Sequence, residues 1–153
     1  MKIAILGSNG FVGRNLAEHL EQSHEVVRVT RKTLDMMDPF QVHLFCKDNQ
    51  FDVIVNCATV MTDNDSLKDA RNNLGLFMNF YSQNNLYKKF INLASGAEFD
   101  RTKDINFAMP GFIFAVQPED SYGWGQNIKA RLCAQSPNYY NIRIFNCFGK
   151  GEL

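Results

Sequence analysis

Short apolar runs alternate along this chain with longer stretches in which apolar positions return every three or four residues. The runs lie at residues 2–6 (KIAIL), 25–30 (EVVRVT), 52–56 (DVIVN), 89–94 (KFINLA) and 140–146 (YNIRIFN). They are rich in Ile, Val and Phe, the pattern of strands buried on both faces of a parallel sheet. Between them the period lengthens. In 66–81, Leu67, Ala70, Leu74, Phe77, Met78 and Tyr81 share one helical face behind Ser66, which fits an N-cap. Val12, Leu16 and Leu20 mark a helix after the first run, and Asp38 before Pro39 predicts another helix start. Strand and helix therefore alternate, which predicts right-handed crossovers and an α/β fold: a Rossmann-like, doubly wound parallel sheet in a three-layer α/β/α arrangement with strand order 3-2-1-4-5. Residues 96–120 show neither period. Irregular stretches beyond about 12–15 residues in a compact domain are usually functional or disordered.

The length of 153 residues fits one domain, 1–153. Sixteen basic and sixteen acidic side chains give a formal charge of zero. That excludes a general attraction to nucleic acid or to an anionic membrane, so any anion must be held by a local site. Cys46, Cys57, Cys133 and Cys147 form no CxxC pair and read as free thiols in a reducing compartment. The opening MKIAILGSNG meets a glycine before a signal-peptide apolar region can form, and no apolar run is long enough to cross a membrane, so the expectation is a cytoplasmic protein. His19, His24 and His43 are scattered as surface residues would be, and no metal-ligand spacing occurs. Trp124, Tyr139 and Tyr140 read as core before they read as stacking platforms for a ligand.

The first apolar run is followed at once by GSNGFVG, with Gly7, Gly10 and Gly13 between strand and helix. Glycines permit a tight turn and close backbone approach, and the helix N-terminus presents N–H groups and a positive dipole end to a pyrophosphate. The GxxGxxG spacing resembles the short-chain dehydrogenase/reductase superfamily, in particular its extended branch of NAD-dependent nucleotide-sugar epimerases, dehydratases and reductases. DVIVNCAT (52–59), NNLGLFMNF (72–80), INLASGAEF (91–99) and RIFNCFGKGE (143–152) resemble, in order, that family's strand and turn beside the adenine ribose, its N-x-x-G helix, its catalytic serine strand and its late FNxxGxG segment. The resemblance runs over nearly the whole chain.

It implies a cofactor site made by Gly7, Asn9, Gly10, Phe11, Val12 and Gly13 with Cys57, Ala58 and Thr59. An enzyme that prefers NAD usually has an acid at the end of the second strand, whereas this chain reads VTRKT there. Arg28, Arg31 and Lys32 supply positive charge, and Arg31 has the fork geometry for a 2′-phosphate. The run TRKTLDMMD also resembles the matching segment of GDP-fucose synthases, NADP enzymes of this branch, which adds Asp38 to the implied cofactor residues. NADP is therefore favoured over NAD.

The resemblance also implies a catalytic set: Ser95 to polarise a substrate oxygen, Tyr122 as acid/base and Asn72 in support, with Asn146 toward the substrate. SYGWGQNIKARLC departs from the family at Gln126, where a lysine four residues after the tyrosine would share its helix face. At an effective dielectric of about 20 and a separation near 5 Å, one charge is worth roughly 3 kcal/mol to a phenolate. Gln126 can hydrogen-bond a ribose together with Tyr122 but carries no charge. Lys129, also on the Tyr122 face, reads as an ordinary exposed lysine. The family's C-terminal substrate domain is expected to be absent, and a truncated sheet predicts a homo-oligomer. Beside a nucleotide-sugar enzyme of weak activity, a catalytically inactive dinucleotide-binding or regulatory module and a structural subunit stay open.

Overall fold

A computed structural model describes residues 1–61, 66–102, 104 and 109–152. Its central sheet has five parallel strands: β1 (Lys2–Leu6), β2 (Glu25–Val29), β3 (Val53–Asn56), β4 (Lys89–Ser95) and β5 (Tyr139–Ile144). Helices α1 (Phe11–Leu20), α2 (Pro39–Asn49), α3 (Leu67–Tyr81) and α4 (Ser121–Ala134) connect them. All five predicted strands exist. The last one begins a residue earlier and ends before Phe145 and Asn146.

The spatial order is β2-β1-β3-β4-β5, which corrects the expected 3-2-1-4-5. A single helix joins β2 to β3, and among the described residues no strand forms outside β2. The chain instead crosses β1 and pairs β3 on its far side, Ile3 opposite Val53 and Leu6 opposite Asn56. Burial explains the choice. VIVN is buried at every position, which only a strand with neighbours on both sides allows, whereas β2 exposes Glu25 and Arg28 as an edge strand can.

Ala4, Leu6, Ile54 and Phe90 on one sheet face pack with Val42 and Cys46 of α2, Leu76, Phe77 and Phe80 of α3 and Cys133 of α4. Ile3, Ile5, Val53 and Val55 on the other face pack against Leu16, Ala17 and Leu20 of α1. On that second face β5 leaves Tyr140 47% and Ile142 49% exposed. Tyr139 points the opposite way and is core, stacked on Phe90.

The helix starts follow their caps. Asp38 accepts from the N–H groups of Phe40 and Gln41, and Ser66 accepts from that of Asp69. In α3, however, the buried residues are Asp69, Ala70, Asn73, Leu76, Phe77 and Phe80, while Leu67 and Met78 are exposed. The inward face is rotated from the expected one because Asn73 is drawn inside by bonds to the loop after β3. Residues 96–120 are less irregular than expected. Gly96–Phe99 and Pro110–Phe114 form 3-10 turns, and residues 103 and 105–108 lie outside the described set.

Candidate functional site

In an open parallel sheet the binding crevice lies beyond the strand C-termini where the strand order reverses, here between β1 and β3. The glycine loop stands at that point. Gly7 has φ +74, and its N–H and that of Ser8 donate to the Val29 carbonyl at 3.0 and 3.1 Å, tying the loop to β2. A Cβ on Gly7 would lie 2.7 Å from the Ala58 Cα, and one on Gly13 would lie 2.4 Å from the Gly7 carbonyl oxygen. Any side chain at either position would push the loop off β3 or α1 off the loop. Gly10 caps α1 without a side-chain bond, so the first N–H groups of the helix are left for a ligand, with Phe11 and Val12 in its opening turn.

A cleft of about 440 Å³ opens over this loop, walled by Gly7, Asn9, Gly10, Cys57, Ala58 and Thr59, with Thr30, Arg31, Lys32, Met36, Val60 and Leu76 toward β2 and α3. Most of the cofactor residues that the sequence suggested are thus brought together. Burial pushes the Cys57 thiol up to about 12, so it is wall and not nucleophile. A second recess of about 250 Å³ shares Arg31, Met36, Val60 and Leu76 with the first and adds Asp35 and Asn72. Asn72 therefore lines the same recess as Arg31. Asn73, which the sequence reading passed over, holds the loop between them. Its Oδ1 accepts from Val60 N at 2.6 Å and its Nδ2 donates to the Val60 carbonyl at 2.7 Å.

The cations divide by their partners. Arg28 is held by Glu21 through two bonds of 2.6 and 2.7 Å and lines neither recess. Arg31 and Lys32 are exposed at the cleft. Asp38 is occupied as the cap of α2, where bonds from Gln41 and Phe40 hold its carboxyl below the usual range, and it lines neither recess.

Ser95 ends β4, and its Oγ accepts from Ala97 N at 3.2 Å. The 3-10 turn that follows lies against the start of α4, where a Cβ on Gly123 would be 2.7 Å from the Ala97 carbonyl oxygen. That close approach sets Tyr122 and α4 beside the Ser95 turn, and it becomes visible only with the fold. Asp120 caps α4 through Gly123 N at 2.7 Å and is paired with Arg101, whose guanidinium lies 5.8 Å from the Tyr122 ring centre. Asn127, also missed by sequence, donates to the carbonyls of Glu98 and Ile113 at 2.8 and 3.0 Å. It fastens both 3-10 turns to α4.

Gln126 is 4% exposed and its Oε1 has no hydrogen-bond partner among the described residues. Lys129 is 2% exposed, not the surface lysine expected from sequence. Desolvation lowers its pKa to about 8, and the charged groups that act on it are Cys133 and Glu98. Among the described residues no ion pair within 4 Å holds it. Asn146 lies exposed on the segment after β5. Among the described residues no metal-binding cluster occurs, and no helix is long and apolar enough to cross a membrane.

No curated protein matches the chain. Solved structures do. A GDP-D-glycero-L-gluco-heptose synthase from Campylobacter jejuni, solved with NADPH, superposes with a TM-score of 0.80 at 22% identity over 98% of this chain and 48% of its own. A GDP-mannoheptose C4 reductase from the same organism, with NADP bound, gives 0.79 at 22% identity over 98% and 52%. A UDP-N-acetylglucosamine 4-epimerase from Bacillus cereus gives 0.71 at 16% identity over 86% and 53%. At these identities the likeness is one of fold, and the chain spans about half the length of each neighbour. The NAD dependent epimerase/dehydratase family model matches residues 3–152, and the chain belongs to that family.

Proposed function

We propose that the chain is the cofactor-binding half of a nucleotide-sugar epimerase, dehydratase or reductase, that it prefers NADP, and that on its own it turns over little. The observation that carries the reading is the glycine loop at the strand-order reversal, packed too closely for any side chain at Gly7 or Gly13 and open above to a cleft. The residues fit a dinucleotide. The N-terminus of α1 would hold its pyrophosphate and Arg31 and Lys32 its 2′-phosphate, and Gln126 Oε1, left without a partner among the described residues, would accept from a ribose hydroxyl if the ribose reaches α4. When bound, the cofactor supplies hydride chemistry. Ser95 receives the Ala97 N–H and keeps its own O–H to donate to a substrate oxygen, and Tyr122 would move the proton. Position 126 carries no charge, which supports the second reading of a binding module without efficient catalysis.

Calorimetry tests the first reading. NADP should bind more tightly than NAD, and Arg31→Ala should reduce NADP affinity about tenfold, the worth of one charge-assisted contact, with little change for NAD. Equal affinities in the unaltered protein would reject the preference, and no binding of either would reject the site.

We further propose self-association in the cytoplasm, because Tyr140 and Ile142 with Phe145 (69% exposed) and Phe148 (86%) leave an apolar area along β5. Light scattering at rising concentration should show a mass above that of one chain, and a constant single-chain mass would refute it.

A further inference from the structure

Three asparagines, two of them buried, lie in register across the sheet. Asn56 pairs with Asn92 and Asn92 with Asn141 on the face that α3 and α4 cover. Asn56 Nδ2 donates to Asn92 Oδ1 at 2.9 Å, Asn92 Nδ2 to Asn141 Oδ1 at 2.8 Å, and Asn141 Nδ2 to Glu98 Oε2 at 2.9 Å. The other Glu98 oxygen takes Arg143 as ion-pair partner. Asn92 and Glu98 are fully buried and Asn56 is 2% exposed.

The row has a direction. A carboxylate accepts and an amide does both, so Glu98 obliges Asn141 to turn its NH₂ outward along the row and its oxygen back toward Asn92. Asn92 must then offer its oxygen to Asn56, which leaves the Asn56 oxygen for the far end. There it accepts from Ala58 N at 3.2 Å, and Ala58 is the cleft wall against Gly7. At the other end, Glu98 sits in the turn capped by Ser95, and its carbonyl is bound by Asn127 of α4. Buried polar rows of this kind often contribute little net stability compared with apolar residues of similar size, and their better-attested role is to fix one arrangement.

We infer that Glu98, Asn141, Asn92 and Asn56 form a positioning relay, in which the carboxylate beside the Ser95 turn sets the amide orientations that hold the Ala58 N–H and the cleft wall in place. None of these residues lines the cleft. The inference rests on the dinucleotide reading only for the second of its two measurements.

Asn92→Leu cuts the relay at its centre. Phe90→Leu, two residues earlier on the same strand and face, is a core change outside it. At temperatures well below unfolding, hydrogen exchange at the Ala58 amide should accelerate about tenfold in Asn92→Leu, as expected for loss of one buried hydrogen bond, and remain unchanged in Phe90→Leu. NADP affinity should fall severalfold in the first variant and not in the second. A folded Asn92→Leu protein with Ala58 exchange like that of Phe90→Leu would overturn the relay. If the unaltered protein fails to bind NADP, the dinucleotide reading falls, and the exchange measurement still decides the relay. Should Asn92→Leu not fold, Glu98→Gln takes its place. A glutamine no longer dictates the amide direction, so Ala58 protection should drop severalfold, and unaltered protection would refute the idea.

Discussion

Lys129→Met should make the protein more stable at neutral pH, by roughly 2–3 kcal/mol, and the advantage should shrink as the solution is made alkaline. The ammonium is almost fully buried, and among the described residues it forms no ion pair within 4 Å. Burial lowers its pKa from 10.5 to about 8. Between those values the unfolded chain holds a proton that the folded chain has released, so this group's contribution to stability rises with pH across the window. Below about pH 8 the folded state must carry the charge, and methionine removes that cost while keeping the side chain's length. Other groups slope the opposite way. The Cys46, Cys57 and Cys133 thiols and the Tyr139 phenol are each pushed up to about 12 by burial, so unfolding releases their protons in alkali and stability falls. The comparison must therefore be made between variants, by urea unfolding at pH 7 and pH 10. A difference that does not change with pH would show that Lys129 titrates normally.

Gly13→Ala should weaken dinucleotide binding by about a hundredfold, equivalent to roughly 2.7 kcal/mol. The new methyl would meet the Gly7 carbonyl at 2.4 Å and Gly7 itself at 3.0 Å, contacts to backbone that no side-chain rotation relieves. Either α1 backs away from the loop or the loop shifts from β3, and in both cases the N–H groups at the helix start leave their alignment with the cleft. Overpacking of this kind should also lower stability by about 1–3 kcal/mol. Calorimetry beside thermal unfolding separates the two effects. A folded Gly13→Ala protein with unchanged NADP affinity would show that the close packing of loop and helix is not what prepares the site.

The strands and most helix starts were legible in the sequence because they depend on local facts: runs of Ile, Val and Phe, and capping side chains at Asp38 and Ser66. The glycine loop was legible for the same reason, since Gly7, Gly10 and Gly13 act within one turn. Strand order was not. Whether the chain after α2 lands outside β2 or beyond β1 is settled by which position covers both faces of Val53 to Asn56, and no local pattern records it. Asn72 and Asn73 are identical in type, and a rotation of the helix decides which enters the core. Lysine on a helix reads as solvated, so the burial of Lys129 was hidden until Glu98 came under α4 from another part of the chain. Gly123 looked unremarkable until Ala97 stood 2.7 Å from where its side chain would be.

The two borders of the sheet differ in what they offer another polypeptide. At β2 the outermost strand carries Arg28 clamped to Glu21 and Glu25 joined to Lys2, so a neighbour laid alongside would have to strip water from four charged groups. At β5 the rim shows Tyr140 and Ile142, both half uncovered, with exposed Phe145 just beyond. The two borders are thus unequal in chemistry: one presents paired charges and the other apolar side chains.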